Sequence, residues 1–437
     1  MSLTAETVLP FASGDTAQIV FYSEGVGTDP GGKWLGGIFG VGLTRILADA
    51  YRHLIFNYNP GDEIFVFGFS RGAFTARSFV GFISNCGILD QRFAGKADEQ
   101  LDNYRRRDNS RRYLEQMREY RLTYCTKTCV SPEEDGWRAQ TLPDYQPGDA
   151  PLIAIGYVGV WDTVGELGIP KWALLSRWIN RGYRFHDLDL SGIVRSARHA
   201  VAIDEARVDY QPTLWRNLDD LNAAAGFAGA DADAPFQQKW FPGVHGSVGG
   251  GGVRRGLSDN TLDWIWDGAR RAGLVFDTSR LSRVYELRPN PLENLENSTD
   301  RDWIGRLQFR APRHPGPRHL DDVGIIARQR WKAPPDLLPE GADYRPATLS
   351  HVARPLDALP AEDFSEQADG DFDLYTVAQG DTLSAIARRF YGNAAKWQTI
   401  FAANRSKLAD PDHIYVGQSL RVPHLPTDAD REATGGS

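Results

Sequence analysis

At 437 residues, 41% hydrophobic and 24% charged, the chain has an ordinary globular composition, with room for one large catalytic domain and a small module. A net charge of −8 with no basic arm or lysine-rich run makes nucleic acid a poor partner, and Cys86, Cys125 and Cys129 give neither a disulfide framework nor a zinc set. No apolar stretch reaches bilayer length, and Met1 to Gly14 lacks the basic start and apolar core of a Sec-type signal, so the expectation is a cytoplasmic product that leaves its cell, if at all, by another route.

The first predicted strand is Gln18 to Tyr22, followed by the Gly-rich loop Glu24 to Thr28. A helix is predicted over Gly42 to Asn57, with Leu43, Ile46, Leu47, Tyr51 and Leu54 on one face. Pro60-Gly61 ends it before the buried strand Glu63 to Phe67. Then come Gly68-Phe69-Ser70-Arg71-Gly72 and a helix over Ala73 to Phe82. Residues 90–150 read as a helical insertion, with a charged face in Lys96 to Tyr124. Ile153 to Trp161 is the next buried strand, and His199 to Glu205 reads as a helix end. Gln238 to Phe241 is a short strand, and Thr261 to Ala272 has helical spacing. Residues 332–370 turn to Pro, Ala and acidic residues and read as a linker. A compact unit fills 371–425, and 426–437 reads as a disordered tail. Strand and helix signals alternate through 1–331, which predicts an α/β domain with a parallel sheet and helices on both faces.

Strand, G-x-S-x-G and helix together describe a nucleophile elbow, the tight turn that lifts a serine hydroxyl clear of a sheet. Ser70 is the candidate nucleophile, and the backbone N–H of Arg71 falls where an oxyanion would develop. The bland alternative makes Ser70 only a helix N-cap. A serine nucleophile needs a base and an acid to orient it. His245 is the best base, because it follows a strand and leads into Gly249-Gly250-Gly251-Gly252. His53, His186 and His199 lie in helix-like or pre-helical segments or precede the serine. Asp162, directly after the Ile153 to Trp161 strand, is the candidate acid, with Asp204 and Glu205 as rivals. Triad chemistry of this kind requires no metal and no cofactor.

Several blocks then resemble one family in order. They are Asn57 to Ile64 with Gly68 to Arg77, Val160 to Gly165, Tyr183 to Asp187, His199 to Glu205 and Phe241 to His245. Over about Gln18 to Ala272 the chain resembles the phospholipase effectors of type VI secretion systems. The resemblance implies an α/β-hydrolase fold and hydrolysis of membrane phospholipid esters by Ser70, Asp162 and His245. It also implies a secretion-spike protein and an immunity protein as partners, and type VI delivery to act in a target periplasm. The loop Glu24 to Thr28 matches the family, which makes Gly25 a second oxyanion donor. Two departures stand out. The family's opening strand ending in Asp-Gly-Thr is absent, so that either the true start lies upstream, a separate chain supplies the strand, or the sheet edge is exposed and the enzyme impaired, and Ser247 replaces the usual aspartate two residues after the histidine.

The unit 371–425 reads as strand, helix, helix, strand and closely resembles a LysM domain, a small α+β fold. That resemblance implies binding to peptidoglycan or another N-acetylglucosamine glycan. The implied groove lies between Gly380, Asp381 and Thr382 on one side and Asn404 to Ile414 on the other. A LysM fold used only for docking is the alternative. The leading function is thus a wall-targeted lipolytic effector. A non-catalytic wall-binding or delivery protein with a degenerate hydrolase, and an esterase of wall polymers, stay open.

Overall fold

Four parallel strands, rich in β-branched, aromatic and small residues, form the main sheet of the computed structural model. They are β1 (Glu63–Phe69), β2 (Ala154–Trp161), β3 (Ala197–Ala202) and β4 (Phe236–Phe241), lying side by side in chain order. The structure describes residues 2–11, 16–24, 36–108, 110–164, 189–227, 231, 233–277, 287–296, 311–313, 315–360, 372–405, 407–408 and 410–424. Its helices are α1 (Ser2–Thr7), α2 (Gly36–Asn57), α3 (Arg71–Cys86), α4 (Ala97–Arg105), α5 (Arg111–Tyr124), α6 (Pro132–Thr141) and α7 (Leu218–Ala224). After β4 come α8 (His245–Gly249), α9 (Gly256–Arg271), α10 (Ile325–Lys332) and α11 (Ala353–Asp357).

Alternation along β2 sends side chains to two helical layers. Ile155, Val158 and Val160 meet Ala73, Ala76 and Val80 of α3. Tyr157 and Trp161 meet Leu262, Ile265, Trp266 and Ala269 of α9. Gly159 matters here, because a Cβ on it would lie 2.7 Å from the Ile265 methyl. The insertion helices α4 and α5 close over α2 through Tyr51, Ile55, Leu101, Tyr104, Tyr113 and Met117.

Three sequence expectations are corrected here. Gln18 to Tyr22 is in no sheet: the Gln18 side chain is bonded to Leu9 O and to both backbone groups of Val275, and Ile19 to Tyr22 are exposed. Among the described residues β1 is therefore the end strand. His199 lies in a strand, because Ala197 to Ala202 is buried on both faces and shows no alternation for the eye to catch. The expected linker is folded as far as Leu359. Leu338, Tyr344, Leu349, Val352 and Leu356 pack with Trp331 against Val201 and Ile203 at β3 and Trp240 of β4. Residues 361–371 and the tail 425–437 lie outside the described residues.

The C-terminal unit pairs β5 (Phe372–Thr376) antiparallel with β6 (Ser419–Pro423), with α12 (Leu383–Tyr391) and α13 (Trp397–Ala403) packed on them. Its core is Val377, Leu383, Ile386, Ala387, Ile400, Leu408, Leu420 and Val422. The unit is seated on α9. Lys407 Nζ pairs with Asp263 at 2.9 Å, Tyr415 OH donates to Asp267, and the Arg271 guanidinium lies 3.3 Å over the Tyr415 ring. His413 meets Asp233 at 3.3 Å, and Gln329 of α10 donates to Arg405 O at 3.2 Å.

Candidate active site

Ser70 sits between β1 and α3 with φ 58° and ψ −121°. Its neighbour Gly68 could carry no side chain, because a Cβ there would lie 2.4 Å from Gly72 O and 2.6 Å from Ala73 Cα. The Ser70 hydroxyl makes no capping bond to α3. It lies instead 2.7 Å from His245 Nε2, while His245 Nδ1 lies 2.6 Å from Asp162 Oδ2. With Asp162 ionised, Nδ1–H donates to the carboxylate and Nε2 accepts from the serine.

Asp162 leaves the end of β2 at φ 38°. Among the described residues, Ser70 and Asp162 are the two non-glycines at positive φ, a conformation costing roughly 1–3 kcal/mol each and held only where the surroundings fix it. What fixes Asp162 is a full set of donors. Its Oδ1 accepts from Ala202 N at 3.0 Å and from Arg313 Nη1 at 2.5 Å. Its Oδ2 accepts from His245 and from Arg313 Nη2 at 2.8 Å. Burial alone would raise the carboxyl's pKa. The Arg313 guanidinium and the His245 hydrogen bond overrule it and hold Asp162 well below the usual carboxylate range.

His245 opens the short helix α8, where an open glycine loop was expected. Its ring lies on Phe69 at 4.6 Å and under the edge of Tyr210 at 4.9 Å. A Cβ on Gly249 would run into Phe69, so the glycine lets α8 close on this ring. Ser247 is buried and donates to Leu295 O at 2.6 Å.

The rivals have other occupations. His199 accepts from Thr163 N at 3.2 Å through Nε2 and meets Gln238 Oε1 at 2.9 Å through Nδ1. Burial, with the nearby Arg77, pushes its pKa down to about 3. Asp204 and Glu205 follow β3 in a loop, not a helix end. Asp204 Oδ2 takes Gly243 N at 2.7 Å and Tyr344 OH at 2.8 Å, and burial raises its pKa to about 6. Glu205 accepts from Arg207 and, at 3.3 Å, from the His245 N–H. Arg198 on β3 binds Asp267 at 3.0 Å. Arg71 is the first residue of α3, so its N–H belongs to the helix's first turn. Gly25, His186 and the Tyr183 to Asp187 block lie outside the described residues. Arg313 is the residue that the sequence reading missed.

In the C-terminal unit, Gly380 turns at φ 85° and Thr382 caps α12, accepting from Ala385 N at 3.1 Å. Asp381 accepts from Tyr375 OH at 2.6 Å and from Ala378 N at 2.7 Å. Asn404, expected in the glycan groove, is buried. Its amide donates to Ile400 O and Arg421 O, and its oxygen accepts from Arg421 N. Ile414 packs on the unit's core, beside the two residues, His413 and Tyr415, that contact the main domain.

A parallel sheet that presents a strained serine beside a histidine and an aspartate, each from just after a later strand, is that of an α/β-hydrolase. Comparison with known proteins narrows the class. The model described as "T6SS, Phospholipase effector Tle1-like, catalytic domain" matches residues 5–268, more than half of the chain, and the chain belongs to that family. A LysM domain model matches residues 375–423. Curated relatives match over shorter stretches. The potassium binding protein Kbp of Escherichia coli is 57% identical over 50 residues, 11% of this chain and 34% of that protein. The esterase Rv1288 of Mycobacterium tuberculosis is 57% identical over 53 residues, 12% of this chain and 11% of that one. An uncharacterized Saccharomyces cerevisiae protein, YEL023C, is 28% identical over 173 residues, 40% of this chain and 21% of its own length. The chain thus covers about a third or less of each of these relatives. A match of 53 residues is too short to hold both Ser70 and His245, so the esterase's name bears little on this site.

Proposed function

We propose that the protein is a serine phospholipase of the type VI effector kind, hydrolysing ester bonds of membrane phospholipids. The observation that carries this reading is the unbroken run of hydrogen bonds from Ser70 through His245 to Asp162. Ser70 Oγ attacks the acyl carbonyl while His245 Nε2 takes its proton, and the imidazolium is stabilised by Asp162. The tetrahedral oxyanion is met by the Arg71 N–H at the start of α3 and by a second donor from the Gly25 loop. Collapse expels the lysolipid oxygen, which takes the proton back from His245, and water activated by the same imidazole then frees the acyl group. The family match supports extending this reading to delivery by type VI machinery to a target periplasm, with a spike protein and an immunity protein as partners. The LysM match supports retention at peptidoglycan.

Phospholipid vesicles and a fluorophosphonate probe test the catalytic part. Wild type releases fatty acid and is labelled, whereas Ser70→Ala does neither and melts at the wild-type temperature. Labelling that persists in Ser70→Ala, or wild type that never turns over, overturns the assignment.

A second reading applies to the LysM unit alone, as a docking module. It is favoured by Lys407 and His413, which lie on the wall expected for glycan, and by Tyr415 just after it, since all three contact the main domain. Binding of the full chain to isolated sacculi or chitin oligomers supports the targeting role, and its absence supports docking.

A further inference from the structure

We propose that Arg313 is a positioning residue of this site: its guanidinium clamps Asp162 in the orientation that serves His245 and keeps the proton of that pair on the imidazole. The proposal rests on the triad reading above and adds a residue beyond the matched 5–268 segment.

Arg313 is 1% exposed. Its two Nη atoms grip the two oxygens of Asp162 side by side, the planar fork that fixes a carboxylate's rotation as well as its charge. Its Nε donates to Glu205 O at 3.2 Å. Glu205 in turn accepts from the His245 backbone N–H. One guanidinium therefore ties together both the carboxylate that orients the imidazole and the loop that holds the histidine backbone. It touches no reacting atom, so its action runs through Asp162.

The charges facing the pair come from every packed element. Arg313 and Arg207 are the cations, Asp162 and Glu205 the anions, and Arg207 is held on Glu205. His199 is kept neutral by burial and accepts from Thr163 N beside Asp162. Tyr210 presents a ring edge to His245, under the Arg207 guanidinium at 3.7 Å. With a neutral imidazole the set balances, two charges against two. Without Arg313 a buried anion would stand against the imidazole alone. The Asp162–His245 pair would then bind its proton more tightly, whichever atom carries it.

The test is kcat/KM against pH on a soluble ester. Arg313→Gln is expected to lower kcat by at least about tenfold, short of the ~10⁴-fold cost of losing the aspartate's role outright. It should also move the acid limb of the profile to higher pH by at least about one unit. Arg313→Lys keeps the charge and loses the fork, so it should lower kcat with the acid limb in place. In an Asp162→Asn background, Arg313→Gln should cost far less than it does alone, because no carboxylate remains to hold and only the bond to Glu205 O is lost. That pair decides the matter if Arg313→Gln alone fails to fold. An unmoved acid limb and wild-type kcat in Arg313→Gln overturn the proposal. So does a moved acid limb in Arg313→Lys, or a loss in the Asp162→Asn background as large as that in the wild-type background. Activity surviving in Ser70→Ala would sink the triad reading instead, so the two failures are separable.

Discussion

Two of the buried charge clusters among the described residues are built differently. At the active site Asp162 is saturated: each oxygen accepts two donors, and Arg313 matches it in one plane. Along α9, Asp259, Asp263 and Asp267 repeat every four residues, which puts them on one face. Asp263 and Asp267 meet the LysM unit there through Lys407 and Tyr415. The Arg270 guanidinium, in the same helix, makes no hydrogen bond among the described residues and lies 4.0 Å from Asp263. Burial lowers the Lys407 pKa against the pull of Asp263. A closed set resists the loss of any member, whereas a loosely satisfied one can be parted as a whole and returned to water. The difference predicts that the domain seam lies at 361–371, not at Lys332.

The largest expected effect sharpens that seam. A chain ending at Lys332 loses Leu338, Tyr344, Leu349, Val352 and Leu356 from the cluster over β3 and β4. At roughly 1.5–3 kcal/mol for each large buried side chain, the loss is comparable to the whole stability of a domain, roughly 5–15 kcal/mol. That chain should be insoluble. A chain ending at Pro360 should fold and keep its kcat on a dispersed ester. Circular dichroism melts and turnover of the two truncations decide, and a folded, active chain ending at Lys332 would break the comparison.

Next in size is the contrast between two buried histidines. His245→Ala should lower kcat by about 10⁴–10⁶-fold at nearly unchanged melting temperature. His199→Ala should keep kcat per folded molecule but leave Thr163 N unpartnered and Gln238 Oε1 with Trp215 N as its remaining donor, a cost of about 1–3 kcal/mol. The His199 pKa, about 3 in the fold, lies below its unfolded value, so this group's contribution is present above about pH 6.5 and is lost as pH falls toward 3. His199→Ala should therefore show a shallower acid loss of stability over that window. An inactive His199→Ala with wild-type stability would redraw the site.

These residues show what could be read from the chain alone. Ser70 and Asp162 were legible because each marks the end of a strand whose apolar run is plain, and the elbow has its own glycine spacing. His245 was legible as the histidine that follows β4 after Pro242-Gly243-Val244, though its helix was not, since glycines usually argue against helix. β3 was misread because Ala-Arg-His-Ala-Val-Ala, buried on both faces, has no period. The folded stretch after Lys332 was missed because short 3₁₀ turns space its apolar residues irregularly between prolines. Arg313 left no signal at all, since its partner lies 151 residues away and its described neighbours form no regular element.

Asp204 gives the next prediction, with the opposite sign to His199. Burial raises its folded pKa to about 6 from an ordinary value near 3.9, so its charged form is disfavoured in the fold. Its contribution is fully present below about pH 4 and is lost as pH rises through about 6. Both of its donors, Gly243 N and Tyr344 OH, use the single oxygen Oδ2, which an asparagine oxygen can replace. Asp204→Asn should therefore raise stability at pH 7 relative to pH 4 by about 2–3 kcal/mol against wild type. Urea melts at the two pH values measure it, and an unchanged difference would show that Asp204 ionises freely.

The smallest effect concerns the α9 seat of the LysM unit. With a protease site placed between Pro360 and Phe372, the cleaved halves should stay associated at low salt, because Leu374 packs on the α9 layer alongside the ion pairs. Tyr415→Phe removes one donor to the Asp267 carboxylate while keeping the ring under Arg271. A hydrogen bond to a charged group contributes about 1.5–3 kcal/mol, so the affinity between the halves should fall by at least about tenfold. Raising salt to 1 M shortens the screening length to about 3 Å and should weaken the pairing of Asp263 with Lys407 further, though less than it would an exposed pair. Gel filtration of the cleaved protein reads both effects. The site should not notice: fluorophosphonate labelling of Ser70 is expected at the same rate in the cleaved wild type and in Tyr415→Phe. Halves that separate freely at low salt would show that the α9 contacts do not hold the unit in place, and labelling that slows as they part would show that the loosely satisfied cluster is not a seam but a part of the catalytic body.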